Sequence, residues 1–188
     1  MKKFNLLTSI TLSFVILTST ISTSWADSDR QEMAMVKSII EKSGVTAKQA
    51  INKVLQDYKG EIYSYELDEK NDVYFHEIKL IDIEADKKIK LIISITNGEI
   101  FEKEEERLFS WFFDDDHIVT AKKLTTMKYS ILDAIDAIKL DNSSLLQEVE
   151  VEDKQGVLFF ELETIGDDGE KDWLVDAYNN QLIPVFKK

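Results

Sequence analysis

The sequence predicts an α+β protein of two tandem units, each one helix packed on a three- to four-stranded antiparallel sheet. Three observations carry that expectation. A helix-start pattern in "VTAKQAI" (residues 45–51) has a blurred echo in "TTMKYSI" (residues 125–131). After each, the apolar period changes from 3.6 to 2, the signature of a helix giving way to strands. Matching positions in the two stretches keep an almost constant separation, and it shifts only in segments that read as loops, where insertions are tolerated.

Residues 1–26 read as an export signal. Lys2 and Lys3 precede a mostly apolar run, and Ser24 and Ala26 fill the small positions of a cleavage site. A membrane anchor is the competing reading, but Thr and Ser interrupt the apolar run and no basic flank follows it. Cleavage after Ala26 removes Lys2 and Lys3, which takes the formal net charge from -13 to -15 over the remaining 162 residues. Residues 27–44 form a packing helix: Asp29 and Glu32 open it, Met33, Val36, Ile39 and Ile40 recur on one side, and Gly44 stops it.

The first unit spans 45–105. Thr46 accepts from the Gln49 backbone while the Gln49 side chain reaches back, which satisfies two donors that the helix cannot pair itself. Ala50, Ile51, Val54, Leu55 and Tyr58 then form one apolar stripe ending near Gly60. A strand follows through Ile62, Tyr65 and Leu67, then a polar turn at "DEKND", then a longer strand from Val73 to about Ile83. Residues 106–123 are a linker, and 124–188 are the second unit. There Thr126 stands for Thr46 at an offset of 80, with Tyr129 in place of the Gln, so its cap is expected to be weaker. The strands match at an offset of 84, Leu67 with Val151 and Ile78 with Leu162, after a gain of four residues around "LDNSS". The closing strands match at 82, Leu91 with Trp173 and Ile100 with Leu182. Asn97-Gly98 and Asn179-Asn180 supply residues that tolerate positive φ in a tight turn.

The two units resemble PepSY domains, named for peptidase propeptides and the spore protein YpeB. The likeness lies in "VTAKQAI", in the strand "VYFHEIKL" and in "SITNGEI", where Ser94 replaces the family's Asp. The second unit keeps Asp176 in "VDAYNNQLI", but Asn180 replaces the Gly. The resemblance implies a non-catalytic regulator or inhibitor of an extracytoplasmic peptidase, acting through a protein partner. No protease domain is expected after Lys188, so inhibition would act in trans.

The search for chemistry yields little. A zinc-protease pair of His is absent from the sequence; its two histidines are His76 and His117. His76 shares a strand face with Tyr74 and Ile78 and reads as a half-buried structural residue. No catalytic residue, metal ligand or cofactor is expected. The docking candidates are Leu108, Phe109, Trp111, Phe112 and Phe113, which form an exposed patch or the strut between the units. Asp114, Asp115, Asp116 and His117 are a weaker alternative, a cation site whose members alternate in direction if the segment is extended. The edge strands expected to pair with a partner are Ile62–Leu67 and Leu182–Phe186. A small ligand held between the units is the alternative function.

The acidity repels nucleic-acid phosphates and anionic lipid head groups, so neither nucleic-acid binding nor membrane insertion after cleavage is expected. Without Cys there is no disulfide, thiolate site or lipid-attached start, and stability rests on packed apolar surface. A periplasmic or secreted location follows from the export signal.

Overall fold

The computed structural model describes residues 24–108, 116–141 and 143–184. Among these residues, four helices pack with one antiparallel sheet of eight strands. Along the chain come α1 (Ser24–Ser43), α2 (Ala47–Asp57), β1 (Glu61–Lys70), β2 (Val73–Asp82), β3 (Lys87–Ser94) and β4 (Ile100–Arg107). These are followed by α3 (Asp116–Leu124), α4 (Ile131–Ala137), β5 (Leu145–Lys154), β6 (Val157–Gly166), β7 (Gly169–Asp176) and β8 (Leu182–Ile183). α1 starts upstream of the expected Asp29, and most of the export signal lies outside the described residues.

The strand order is β4-β3-β2-β1-β5-β6-β7-β8. The expected separate sheets are therefore continuous, joined where Ser64, Tyr65 and Glu66 of β1 pair with Glu150, Val149 and Glu148 of β5. This corrects the assignment of Ile62–Leu67 as a free edge: β1 is central, with β2 on one side and β5 on the other. Linker residues 106–123 are corrected as well, because β4 continues to Arg107 and α3 occupies Asp116–Leu124.

Local chemistry repeats along the two strand sets. Each first hairpin turns through two residues of positive φ, Asn71 and Asp72 in one and Gln155 and Gly156 in the other, as the right-handed strand twist favours. Each first strand has a register shift after its second residue, between Ile62 and Ser64 and between Leu146 and Glu148. The expected strand offset of 84 describes all of these positions.

The expected helix offset of 80 does not hold. The N-cap of α4 is Ser130, which accepts from the Asp133 N–H, while its own N–H donates to the Asp133 carboxylate at 2.8 Å. This capping box is the counterpart of Thr46 and Gln49, with Thr46 N–H donating to Gln49 Oε1 at 2.8 Å. Thr126 instead closes the preceding helix: its hydroxyl donates to the Lys123 carbonyl, as Thr125 donates to Lys122. With Ser130 matched to Thr46, the offset is already 84, and the buried Ala134, Ile135 and Ile138 fall on the buried Ala50, Ile51 and Val54.

One buried cluster takes in residues of α2, α3 and α4 together with Tyr65, Ile78, Leu91, Val149, Leu162 and Val175. A smaller one gathers Val36 of α1 with Tyr74 and Ile95, flanked by Leu67 and Leu145. The turn from α1 into α2 passes so close to the sheet that a Cβ on Gly44 would stand 2.6 Å from the Ile95 carbonyl oxygen. Across the sheet from this core, the alternate side chains are mostly charged, with buried Phe75 and Ile92 among them. Glu77, Glu66, Glu148, Glu163 and Asp172 lie opposite one another on five successive strands.

Candidate functional site

A half-open cleft of about 670 Å³ lies where the two strand sets meet, a volume suited to a small organic molecule. Its apolar wall comes from Ile40 of α1, Tyr65 and Leu67 of β1, Ile135 of α4, and Leu145 and Leu146 of β5. Charged groups ring it: Lys37 and Glu41 from α1, Lys48 from α2, Asp136 from α4, and Lys139 and Asp141 from the following loop. Lys48 and Asp136 pair at 2.5 Å across the mouth, tying α2 to α4. Both side chains are well exposed, so the pair adds little stability and bears mainly on access.

Tyr65 of the cleft wall is one member of a buried polar pair, with His76 as the other. His76 is fully buried, deeper than the half-buried position expected. Its Nε2 lies 2.8 Å from the Val45 carbonyl and its Nδ1 lies 3.0 Å from the Tyr65 hydroxyl. A carbonyl only accepts, so Nε2 carries the proton and Nδ1 accepts from Tyr65. Burial holds the His76 pKa down to about 4, against a smaller upward effect of the Val45 bond, and pushes the Tyr65 phenol up. Both groups are neutral near pH 7. With both nitrogens engaged inside the protein, the imidazole is a structural strut and has no free position for a ligand. In the second strand set the equivalent residues are Val149 and Phe160, which do the same job with apolar packing.

Of the docking candidates, Leu108 is half-buried, packs against the main core and donates its N–H to Asp86. Phe109, Trp111, Phe112 and Phe113 lie outside the described residues, as do Asp114 and Asp115 of the cation alternative. Asp116 and His117 occupy the first turn of α3 and not an extended run, and neighbours on a helix do not face each other. The His117 ring sits 4.8 Å from that of Tyr63. No group of three or more His, Asp or Glu able to hold a metal occurs among the described residues, and none of their helices is long and apolar enough to cross a membrane.

Residues 44–104 match the family model of the peptidase propeptide and YPEB domain, PepSY. The PepSY segment thus takes in α2, β1 to β3 and most of β4, and it stops before the second strand set. No curated protein matches the chain. Among solved structures, the chain is similar to one described as a candidate lipoprotein of Clostridium difficile 630, with 17% identity and a TM-score of 0.46, over 79% of this chain and 97% of that one. It is also similar to the C-terminal domain of Bacillus megaterium YpeB, with 13% identity and a TM-score of 0.30, over 77% of this chain and 66% of that one.

The PepSY segment supplies Thr46, Ala47, Lys48, Tyr65 and Leu67 to the cleft; its other wall comes from α1, α4 and β5. Its closing turn explains the Ser in the family's Asp position. Ser94 Oγ accepts from the Thr96 N–H at 3.2 Å, as Asp176 accepts from Tyr178 at 2.7 Å in the second strand set. Both turns then place a residue of positive φ in the same slot, Gly98 at 71° and Asn180 at 57°. A ligand site between the units was an expected alternative, but the sequence did not name its residues, because the charged rim draws single residues from distant elements. The one available signal was Lys48, a cation in the first turn of a helix whose dipole does not favour it there.

Proposed function

We propose that this is an exported, non-catalytic protein of two tandem PepSY-like units that regulates an extracytoplasmic peptidase by binding it. The observation that carries the reading is the PepSY match over residues 44–104, a domain named for peptidase propeptides. The second unit, α4 to β8, rests on its shared capping box, hairpin turns and strand offsets. The chemistry of the described surface favours binding over catalysis, since the one deeply buried imidazole is locked between two structural partners. The test is affinity capture from the exported fraction, with peptidase activity compared in the presence and absence of the gene. Recovery of a peptidase whose activity changes on deletion is the expected result. Recovery of none, with unchanged activity, overturns the reading.

A second reading, a small-ligand module, is favoured by the cleft, because both strand sets contribute to its walls. Its metal version is tested by calorimetry with calcium, zinc and copper on the parent protein and on a variant with Asp114, Asp115 and Asp116 changed to Ala. Flat titrations for both would remove it.

A further inference from the structure

β4 is a terminal strand of the sheet, eight residues long, and every residue after Ile100 is exposed. At the other end of the sheet, β8 offers two residues. Beside β4, on the charged face, lies a hollow of about 430 Å³. Its floor is apolar: Phe75 and Ile92 are buried, and Phe101 meets Phe75 edge-on at 6.2 Å while remaining 57% exposed. Its rim carries Asp68, Glu69, Glu102 and Glu104, which with Glu77 outnumber the two cations there, Lys70 and Lys90. Lys90 binds Glu77 at 3.1 Å and, lying opposite Glu104 in the next strand, also feels the charges of Glu104 and Glu102, but neither of these two carboxylates makes a close ion pair among the described residues.

Within β4 the two faces differ. Lys103 and Glu105 pair with each other, and Glu105 also binds Lys87, so that face is internally neutralised. Glu102 and Glu104 lie on the charged face beside Lys90 and keep no close ion pair among the described residues. We propose that β4 is a docking edge for an extended cationic polypeptide segment, which adds as a further strand and seats a Lys or Arg side chain over Phe75 and Phe101. Backbone hydrogen bonds would supply affinity, and alternate cationic side chains would supply specificity. An aromatic floor under an acidic rim suits the aliphatic stem and charged head of such a residue. A second copy of this chain fits badly, because pairing β4 with β4 sets carboxylates against carboxylates, a known defence of edge strands.

This inference rests on the reading of the chain as a protein binder and names the chemistry of the partner. The probe is a capped octapeptide alternating Lys and Val, titrated calorimetrically into the purified protein. Its fully N-methylated form and a Glu–Val peptide are the controls. Expected are saturable binding of the Lys–Val peptide alone, weakening with salt, and slowed amide exchange in β4. The variant E102K/E104K, altered at two exposed positions, should bind about tenfold more weakly. Equal binding of the N-methylated peptide, unchanged affinity of the variant, protection elsewhere than β4, or dimerisation through β4 would each overturn it. Peptide binding without capture of a peptidase would retain the docking edge and sink the peptidase target. Capture of a peptidase without peptide binding would do the reverse.

Discussion

The imidazole of His76 gives the protein a titration that its acidic surface does not. In the unfolded chain a histidine titrates near 6.5, whereas in the fold burial keeps it neutral down to about 4. Between those values the unfolded state binds a proton that the native state refuses, so stability falls as pH falls. The contribution is full above about pH 6.5, reduced by about 2 kcal/mol at pH 5, and gone below about pH 4. Tyr65→Phe with His76→Phe fills both positions with rings and removes the titrating group, much as Val149 and Phe160 do in the second strand set. The urea midpoint of this variant should drop less than that of the parent between pH 7 and pH 5. Equal slopes for the two proteins would contradict the assignment. Measurement at fixed salt keeps surface carboxylates, present in both, from masking the difference.

At the scale of single elements, capping residues decide where helices begin. Ser130→Ala should cost about 1 kcal/mol of stability, since it strips the Asp133 N–H of its acceptor. Thr126→Ala should cost less than about half of that, because its hydroxyl serves an exposed carbonyl at the end of α3. Thermal or urea unfolding of the two variants checks the order, and a reversed order would restore Thr126 as the cap. The same region shows what was legible in the sequence. Thr46 and Gln49 were readable because the box sits next to a long stripe, Ala50 to Tyr58. Around Thr126 the chain offers two Thr and a Ser within six residues, and local pattern does not say which hydroxyl faces an incoming helix and which an outgoing one. The strands were readable through alternation and paired turns. The β1–β5 junction was not, because both strands alternate apolar and polar residues as an edge strand with one solvated face does. For the same reason the apolar wall of the cleft, built on that junction, had no sequence signal of its own.

For the whole molecule, the joined sheet has consequences of its own. The main core takes residues from both strand sets, so the two are expected to unfold together. Amide exchange should give β2 and β6 the same opening free energy, and a clear gap between them would show independent halves. Joining also brings acidic strands side by side. Glu148 lies directly between Glu66 and Glu163. Burial first, and then Glu150, Glu163 and Glu66, push its carboxyl above the usual range. A carboxyl raised in the fold binds protons more readily there than in the unfolded chain, so its charge opposes folding at neutral pH and the opposition lifts as pH falls through its titration. Glu148→Gln keeps the shape and removes the charge, which should raise stability at pH 7 by about 0.5 kcal/mol in low salt. Added salt should shrink the gain, and lowering the pH through the carboxylate range should close the gap with the parent. If the Gln variant is instead less stable at pH 7 in low salt, Glu148 forms a favourable contact that outweighs its neighbours, and the charged face is held together and not strained.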